Sequence, residues 1–585
     1  MSSPQTACME TVLQKGHGKT LRMENVEIDE QSRLTVSARP FARGYKMLWP
    51  LLTILLLLPI LMRNIGKGEF NYNVDETQHA CTGQYVADLL RDHPILHPLA
   101  YTYIYYVHYP ALSGVVHWPP VFYAVEGIVF LLMGASVVTA RLSVLLFAVV
   151  GLWFWFRLVE KVHSARVAFV ATIVLALSPC FLLFEKTVML EIPSAAMCIV
   201  ASYFWISFLK QKDNFNLYWF SFTVSLAMLT KQNAVYLVLF CFFSLTGLQQ
   251  WNLLKRKSTI WSLLIIICVT GPYYLLLSSM HWSTIAGDLT EKHISALQQL
   301  AFYWAAVPGL VGWPLLAIAL VGGVTCFAWN SRENNIFFLS WILSVYVMMT
   351  LIGHKEDRYV IYFVPAILYF AIWPLVMPSN RNGWVRVAGC VLLFGVVLST
   401  VRSAWGFNRP YVSGYAPVAR DIRRMGDSGV ILLDAEIPAN LIFFMRNEDT
   451  EHRFVLLRKA LYSVRIKEEL GSEEYLHTPE DLKKLMREDG IRFIVVSNRP
   501  PDNFPVEMVL RDLLKTPQFR LVKQYPVEGN SREWANYSLS LYENLDAGPP
   551  AAQDLVVPMM TLDHDITVPF VKLGITPLAD KVVAQ

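Results

Sequence analysis

Four short segments of the chain carry acids or bases of the kinds that catalyse group transfer. Two of them are acidic. Asp75 and Glu76 are adjacent, and a carboxylate there could act as a general base that removes a proton from an attacking hydroxyl. Adjacent side chains do not share one face of a regular element, so we expect at most one of them to point at a given reacting atom. Glu191 stands just before an apolar run, where an acid is unfavourable unless it is paired or faces a wet cavity.

The other two segments are basic. Lys231 makes a polar break between two apolar runs, in the sequence Leu-Thr-Lys-Gln-Asn. Residues 354–358 read His-Lys-Glu-Asp-Arg, again between apolar runs, and Tyr359 follows them. His, Lys and Arg together can neutralise a phosphate, because Arg offers a planar fork of donors and Lys a compact charge. An ordinary connecting loop has no need of so many charges.

Each segment also has an ordinary explanation. Asp75 and Glu76 are consistent with solvated loop acids, and Glu191 with an acid favoured by the dipole at a helix N-terminus. Lys231 is consistent with an anchor at a membrane interface, and residues 354–358 with a solvated turn. The catalytic interpretation therefore depends on whether the fold brings the four segments together.

The composition indicates a membrane protein. The chain has 585 residues, of which 54% are hydrophobic and 16% charged, and its mean hydropathy is +0.38. Soluble domains are about a quarter charged. A net charge of +4 is small for this length and does not predict a nucleic-acid partner. The eight cysteines show no CxxC spacing and lie mostly in apolar runs, which argues against a zinc site or a disulfide framework.

The apolar runs predict about eleven membrane-spanning helices. The first is Met47–Met62; the polar stretch before it is not a conventional signal peptide, and its basic residues predict a cytoplasmic N-terminus. Counting the stretch 115–134 as a span would place later basic clusters outside, so we predict that it is a helix at the outer interface, begun by Trp118-Pro119-Pro120. The remaining predicted spans are 138–158, 166–184, 192–209, 217–231, 234–250, 258–279, 301–327, 336–353, 358–377 and 385–402.

Alternation of these spans places all four charged segments on the outer face. Such a site suits the transfer of a sugar from a lipid phosphate, because a base activates the acceptor and cations stabilise the leaving phosphate. Everything after residue 405 is also exported in this topology. There, Val430–Asp434 and Phe493–Ser497 are predicted strands and Pro479–Glu488 an amphipathic helix, which together indicate a small α/β domain.

The predicted fold class is thus an α-helical polytopic membrane protein with a small C-terminal α/β extracytoplasmic domain. We expect a cytoplasmic tail over residues 1–46 and a transmembrane catalytic domain over 47–405, whose first outer loop with its interfacial helix covers 64–137. The α/β domain is expected over 406–545. Residues 546–585 are rich in Pro and Ala and are expected to form a flexible tail.

Residues 47–405 resemble the GT-C glycosyltransferases, in particular the bacterial branch related to protein O-mannosyltransferases and lipid A aminoarabinose transferases. The order and spacing of several short motifs carry the resemblance: Asp75-Glu76, Pro119-Pro120, Ala140-Arg141-Leu142, Glu191 and Leu229-Thr230-Lys231. Residues 354–359 are also similar to the His-Lys-Glu-x-Arg motif of mannosyltransferases that build lipid-linked oligosaccharides and glycolipid anchors. The chain departs from these families at Glu191, where Asp is common, and at Gln232, where Gly is common.

The resemblance implies an inverting transfer of a hexose or pentose from a polyprenyl-phosphate donor to a hydroxyl of a lipid, glycan or protein. It implies a catalytic role for Asp75 and its neighbour Glu76, with Asp75 as the base, and Glu191 as a second carboxylate that orients the acceptor or a metal. It establishes no cofactor with certainty and leaves a divalent cation open. The branch implies a bacterial inner membrane, with membrane lipids around the protein. The donor-phosphate contacts would be Lys231, His354, Lys355 and Arg358.

Other functions fit parts of this pattern. A polytopic transporter or lipid flippase also has many spans, but transporters often contain internal repeats, and none is evident here. A non-catalytic assembly protein would leave the convergence of Asp75, Glu191 and Arg358 unexplained. A polymerase or ligase of undecaprenyl-linked glycans needs the same groups and would differ only in its acceptor.

Overall fold

The structure, a computed structural model, describes residues 39–112, 118–290, 295–329, 332–376, 383–464, 471–499, 504–559 and 565–578. The chain divides into two compact units, residues 1–56 and residues 57–585. All contacts discussed below lie within the second unit.

Helices make up almost all of the first two thirds of the described chain, as the long apolar runs predict. Most of them are apolar on nearly every side, which is typical of helices packed in a bundle or exposed to lipid. In chain order they are α1 (Arg39–Met62), α2 (Val74–Asp92), α3 (Pro98–His108), α4 (Val121–Met133), α5 (Val137–Val162), α6 (Ala165–Ala176), α7 (Pro179–Phe184), α8 (Glu191–Gln211), α9 (Asn214–Met228), α10 (Tyr236–Gly247), α11 (Lys257–Thr290), α12 (Ala296–Val311), α13 (Trp313–Trp329), α14 (Arg332–Leu351), α15 (Val364–Ala371), α16 (Trp373–Val376) and α17 (Gly383–Gly406).

Five of the described helices contain a stretch long and apolar enough to cross a membrane: α5, α8, α11, α14 and α17. Their burial differs with their place in the bundle. The most apolar stretch of α8 is 89% buried and that of α11 only 11%, so α8 is central and α11 presents apolar side chains outward. Such an outward apolar surface requires lipid, and the chain is an integral membrane protein.

Several of the predicted spans are broken into two helices. Counted by length and composition, the described helices provide fewer membrane spans than the eleven or so expected. Within the predicted span 166–184, one helix ends at Ala176 and another begins at Pro179. The predicted span 301–327 is two helices, α12 and α13, which meet at an angle of 118°. The bend falls at Gly312, whose φ of 94° is a left-handed conformation that glycine adopts easily. Counting this pair as one span gives six.

The helix predicted within residues 115–134 is present as α4. It begins at Val121, directly after Pro119 and Pro120, because proline fits the first turn of a helix but not its interior. The backbone N–H of Val121 donates to the carbonyl of Leu229, which joins the start of α4 to the segment that carries Lys231.

A mixed five-stranded sheet forms the centre of the C-terminal domain, and its strands in spatial order are β3 (Phe454–Leu457), β2 (Gly429–Asp434), β6 (Ile491–Ser497), β9 (Ser538–Asn544) and β7 (Phe519–Pro526). Strand β2 is parallel to β3 and β6, whereas β9 is antiparallel to β6 and β7. The predicted strands at 430–434 and 493–497 lie in β2 and β6, and the helix Pro479–Glu488 is confirmed with both ends. The elements are β1 (Val412–Ser413), α18 (Tyr415–Met425), β2 (Gly429–Asp434), α19 (Pro438–Glu448), β3 (Phe454–Leu457), β4 (Tyr462–Val464), β5 (Ser472–Glu474), α20 (Pro479–Glu488), β6 (Ile491–Ser497), α21 (Pro505–Leu513), β7 (Phe519–Pro526), β8 (Glu528–Gly529), β9 (Ser538–Asn544), β10 (Asp554–Val557) and β11 (Ile566–Pro569).

The last part of the chain differs from the flexible tail predicted after residue 545. Strands β10 and β11 pair antiparallel, and a short helical turn follows at Phe570–Leu573. Leu555, Phe570 and Leu573 are buried in the hydrophobic core of the C-terminal domain. Their burial stabilises the paired strands, which composition alone did not indicate.

The C-terminal domain packs directly on the segment that precedes α2. Both carboxylate oxygens of Glu69 accept hydrogen bonds of 3.0 Å, from the backbone N–H groups of Tyr415 and Ala416 in α18. The side-chain amide of Asn440 in α19 donates to the carbonyl of Phe70 over 2.9 Å. The domain therefore fixes the backbone that leads to Asp75.

Candidate active site

The first turn of α2 orients Asp75 and Glu76 differently. Asn73 is the N-cap, and its Oδ1 accepts the backbone N–H groups of Asp75 and Glu76 at 2.9 and 3.2 Å. Such a cap satisfies donors that the helix leaves unpaired, and the dipole favours acids in this turn. The cap thus sets the direction in which each carboxylate leaves the helix.

Glu76 points into the protein and is fully buried. One of its oxygens accepts the backbone N–H groups of Asn71 and Tyr72, at 3.0 and 2.8 Å. The other accepts the backbone N–H of Val188 at 3.1 Å. Glu76 therefore joins the segment before α2 to the segment before α8, and backbone donors occupy both of its oxygens.

Asp75 instead meets Arg358. The Arg358 Nη1 lies 3.0 Å from Asp75 Oδ2, and its Nε lies 3.5 Å from Glu191 Oε1. Its Nη2 lies 3.6 Å from Glu356 Oε1. The guanidinium is only 8% exposed, so one buried cation connects three carboxylates that are far apart in the sequence.

Glu191 and Lys231 form a second buried pair beside the first. Lys231 Nζ is 2.6 Å from Glu191 Oε1, and both side chains are almost inaccessible. The ammonium also lies over the rings of Trp118 and Tyr359, at 5.2 and 5.3 Å, which favours the charged form. Glu191 Oε2 is buried without a hydrogen-bond partner among the described residues. That oxygen is free to accept a donor from a ligand.

The charge states near Asp75 follow from its neighbours. Burial acts to raise the pKa of Asp75, but His79 and Arg358 lower it below its usual value. Burial lowers the pKa of His79 itself to about 4, so the imidazole is neutral near pH 7. Near pH 7, Arg358 and Lys231 are thus the cations that favour the ionised form of Asp75.

Among the other residues of the segment 354–358, Lys355 holds the end of a helix. Lys355 Nζ donates to the carbonyls of Met349 and Thr350 at 3.0 and 2.8 Å, and also to that of Ile352. A cation on the last carbonyls of α14 complements the helix dipole. His354 Nε2 lies 2.9 Å from Glu356 Oε1. The structure therefore places Arg358 in the cluster, His354 at its edge, and Lys355 on the helix end.

Four further residues belong to this site that sequence reasoning did not assign to it: His79, Trp118, Glu356 and Tyr359. His79 follows Asp75 by one helical turn, a spacing that could have predicted its proximity. Its Nδ1 lies 2.7 Å from the hydroxyl of Tyr123. Nothing in the spacing of Trp118 or Tyr359 indicated that their rings would enclose Lys231.

Two buried arginines support the loop that precedes the site. Arg141 donates to the carbonyls of Ile65, Lys67, Gly68 and Glu69 over 2.8 to 3.3 Å. Arg409 donates to the carbonyls of Asn64, Ile65 and Lys67 over 2.6 to 3.1 Å. These contacts fix the backbone of residues 64–69 without any carboxylate.

The described residues contain no group of three or more His, Cys, Asp or Glu side chains arranged to hold a metal ion. The carboxylates of the cluster face cations, and paired charges of this kind are suited to an anionic ligand. Chemically, the arrangement offers an ionised base, a second carboxylate with a free oxygen, and two cations.

Comparisons with known proteins place the fold. Residues 117–275 match the family described as dolichyl-phosphate-mannose-protein mannosyltransferase. The crystal structure of ArnT from Cupriavidus metallidurans in the apo state has a TM-score of 0.58 and 15% identity, over 87% of this chain and 99% of that chain. ArnT from the same organism bound to undecaprenyl phosphate has a TM-score of 0.57 and 14% identity, over 86% and 99% of the two chains. Among curated proteins, none matches the chain.

The chain has a GT-C fold. The resemblance drawn from the sequence is confirmed at this level, and so is the fold class, a helical membrane protein with a small C-terminal region that contains strands. The GT-C match extends over most of the chain and so includes part of the C-terminal domain, whereas the sequence motifs covered residues 47–405 only.

Proposed function

We propose that the protein transfers a sugar from a polyprenyl-phosphate donor to an acceptor hydroxyl on the outer face of a membrane, with inversion at the anomeric carbon. One observation carries the proposal: Arg358 contacts both Asp75 and Glu191, and Lys231 contacts Glu191, in a single buried cluster. The GT-C fold supports it, because one structure with that fold was obtained with undecaprenyl phosphate.

In the proposed reaction, Asp75 accepts the proton of the acceptor hydroxyl. The acceptor oxygen attacks the anomeric carbon, and the bond from that carbon to the phosphate oxygen breaks with its electron pair leaving on the phosphate. Arg358 and Lys231 stabilise the charge that develops there. The free oxygen of Glu191 accepts a hydrogen bond from the acceptor or the donor sugar and orients it.

The other predicted site residues take supporting parts in this proposal. Glu76 positions Asp75 by fixing the backbone around α2, and Lys355 positions Arg358 by holding the end of α14. His354 contributes a cation at the edge of the cluster only when protonated, through its contact with Glu356. The proposal extends to lipid, glycan and protein acceptors and to a bacterial inner membrane, with the N-terminus cytoplasmic and the C-terminal domain outside.

Release of free polyprenyl phosphate tests the proposal. Purified protein in nanodiscs is given a panel of polyprenyl-phosphate sugars and mixed acceptor extracts. We expect one donor to be consumed by the wild type and turnover to fall by about 10² to 10⁴ in Asp75→Asn, since that is the usual contribution of a general base. Donor binding should be retained in this variant.

Asp357→Asn is the matched control, because Asp357 is an exposed acid in the same segment as Arg358. It should release polyprenyl phosphate at the wild-type rate. If the folded wild-type protein consumes no donor, the result favours a transporter or flippase function instead. If Asp75→Asn loses donor binding as well as turnover, Asp75 is not the base.

A further inference from the structure

A cleft of about 410 Å³ lies far from the Asp75 cluster, between α3, the turn before β3 and the short helical turn at Phe570–Leu573. Its volume is within the range of about 300 to 1,000 Å³ that is typical of ligand sites. The end of α2 contributes Asp92 to the lining. The first outer loop and the C-terminal domain therefore form the cleft together.

Aromatic rings form one side of the cleft. Tyr101, Tyr105 and His452 line it, with ring centroids 6.0 Å apart for the two tyrosines and 5.7 Å apart for Tyr105 and His452. The backbone of His452 has a φ of 53°, which is uncommon for a residue with a side chain. Such unfavourable conformations tend to be retained where the position of a side chain matters.

Charged groups of both signs complete the lining, and their charges sum to zero. Asp92 and Glu451 are acidic, and Arg453 and Lys572 are basic. Burial lowers the pKa of His452 to about 4, so this ring adds no charge near pH 7. Carboxylates only accept hydrogen bonds, whereas guanidinium and ammonium groups only donate them. A ligand that uses both must itself donate and accept without carrying net charge.

A sugar has these properties, because each hydroxyl is both donor and acceptor and one face of the ring is made of C–H groups that fit an aromatic wall. A phosphorylated ligand would meet two carboxylates as well as two cations and would gain no net attraction, and an apolar ligand would leave four charged groups without water. The chemistry of the lining therefore favours a neutral carbohydrate.

A ligand that occupies the cleft and also reaches Asp75 must be extended. Helix α2 carries Asp75 in its first turn and Asp92 as its last residue. At a rise of about 1.5 Å per residue, these two positions are about 26 Å apart along the helix. One sugar ring does not span this distance, but a chain of several does.

We propose that this cleft binds a neutral oligosaccharide, namely the part of a glycan acceptor that is distant from the reacting hydroxyl. The inference rests on the proposed glycosyl transfer and narrows its acceptor from lipid, glycan or protein to a glycan-bearing molecule.

Direct binding of fluorescent gluco- and manno-oligosaccharides of one to six residues tests the cleft, using full-length protein in nanodiscs. We expect at least one of the longer oligosaccharides to bind the wild type, and Arg453→Ala and Lys572→Ala to weaken this binding at least tenfold. Arg520→Ala is the control, because Arg520, like Arg453, is exposed and paired with a glutamate, Glu543, but lies outside the cleft.

Donor consumption separates this proposal from the previous one. With the consumed donor in excess, Arg453→Ala should raise the KM for a glycan acceptor and leave kcat unchanged. If no oligosaccharide binds the wild type, or if the cleft variants bind as tightly as it does, the cleft proposal is wrong. Variants that lose only binding to phospholipid vesicles would also overturn it. Absence of donor consumption with intact oligosaccharide binding would overturn only the proposed transfer.

Discussion

Two groups of buried cations in the same unit are satisfied in different ways. Arg358 and Lys231 meet the carboxylates of Asp75 and Glu191, whereas Arg141 and Arg409 meet backbone carbonyls of residues 64–69. A carboxylate on a cation can be replaced by another anion, such as a phosphate. A backbone carbonyl that is bound to a cation can be replaced by a ligand only if the backbone moves. The comparison therefore separates cations available to a ligand from cations that hold the fold.

The largest effect on turnover is expected in the first group, the cations Arg358 and Lys231 that meet carboxylates. Arg358→Ala should lower release of polyprenyl phosphate about 10³-fold. A hydrogen-bond donor directed at the charge that develops in the transition state contributes on the order of 10² to 10³ in rate. Arg358→Lys should recover part of the activity, because it keeps the charge but not the planar fork. Thermal unfolding of each variant should change far less than turnover. A parallel loss of unfolding temperature and turnover would place Arg358 with the structural arginines instead.

The largest effect on stability is expected in the second group, the arginines Arg141 and Arg409 that meet backbone carbonyls. Arg141→Met should lower the free energy of unfolding by at least about 2 kcal/mol, because it leaves the carbonyls of Gly68 and Glu69 without their donor at about 1 to 3 kcal/mol each. Thermal unfolding in nanodiscs measures the change. Arg157→Met is a control on the same helix, since Arg157 is partly exposed and paired with Glu160. Equal unfolding temperatures for the two variants would contradict a structural role for Arg141.

The adjacent acids Asp75 and Glu76 extend the comparison to carboxylates. Asp75 meets a cation, whereas Glu76 meets backbone N–H groups. Glu76→Gln should lower the free energy of unfolding by about 1 to 3 kcal/mol, because the new amide directs a donor at a backbone N–H that had an acceptor. The folded fraction should retain much more donor release than Asp75→Asn does. The measurement is turnover per folded molecule, with the folded fraction taken from size-exclusion chromatography. Equal turnover losses in the two variants would remove the distinction.

The smallest effect is expected at a buried acid beside a like charge, outside the membrane-spanning helices. Burial, together with Glu488, raises the pKa of Asp489 to about 7. The folded state thus binds this proton more tightly than the unfolded state, whose Asp has a pKa of about 3.9. The free energy of unfolding should therefore fall as the pH rises from about 4 to 7. Asp489→Asn should show a smaller decrease in unfolding temperature between pH 5 and pH 8, and an unchanged slope would contradict the shift.

The sequence predicted the elements of this fold better than the contacts of its site. Apolar runs and the Pro119-Pro120 turn were sufficient to locate helices, although not their breaks, and Val430–Asp434 predicted a strand of the sheet, because these depend on local patterns. The bend at Gly312 was missed, although glycine followed by Trp313-Pro314 marked a place where a helix could end. The paired strands after residue 553 were also missed, because their stability comes from burial against a distant core.

At the site, sequence reasoning found the residue types but not their partners. It predicted that only one of Asp75 and Glu76 could face a reacting atom, but the choice depends on Val188, which is 112 positions away from Glu76. The segment 354–358 was correctly singled out as charged, yet Lys355 binds the end of its own preceding helix while Arg358 crosses to α2. Distances along the chain contain no information on this division.

The ion pair between Asp75 and Arg358 has a consequence for the order of events. While the pair is closed, the carboxylate is held by a cation, and its low affinity for protons makes it a weak base toward water. In the proposed reaction, an arriving phosphate draws Arg358 away and leaves Asp75 with a greater affinity for a proton. The protein would then be idle until its donor is seated, and binding of the lipid-linked sugar would itself switch on the base that activates the acceptor.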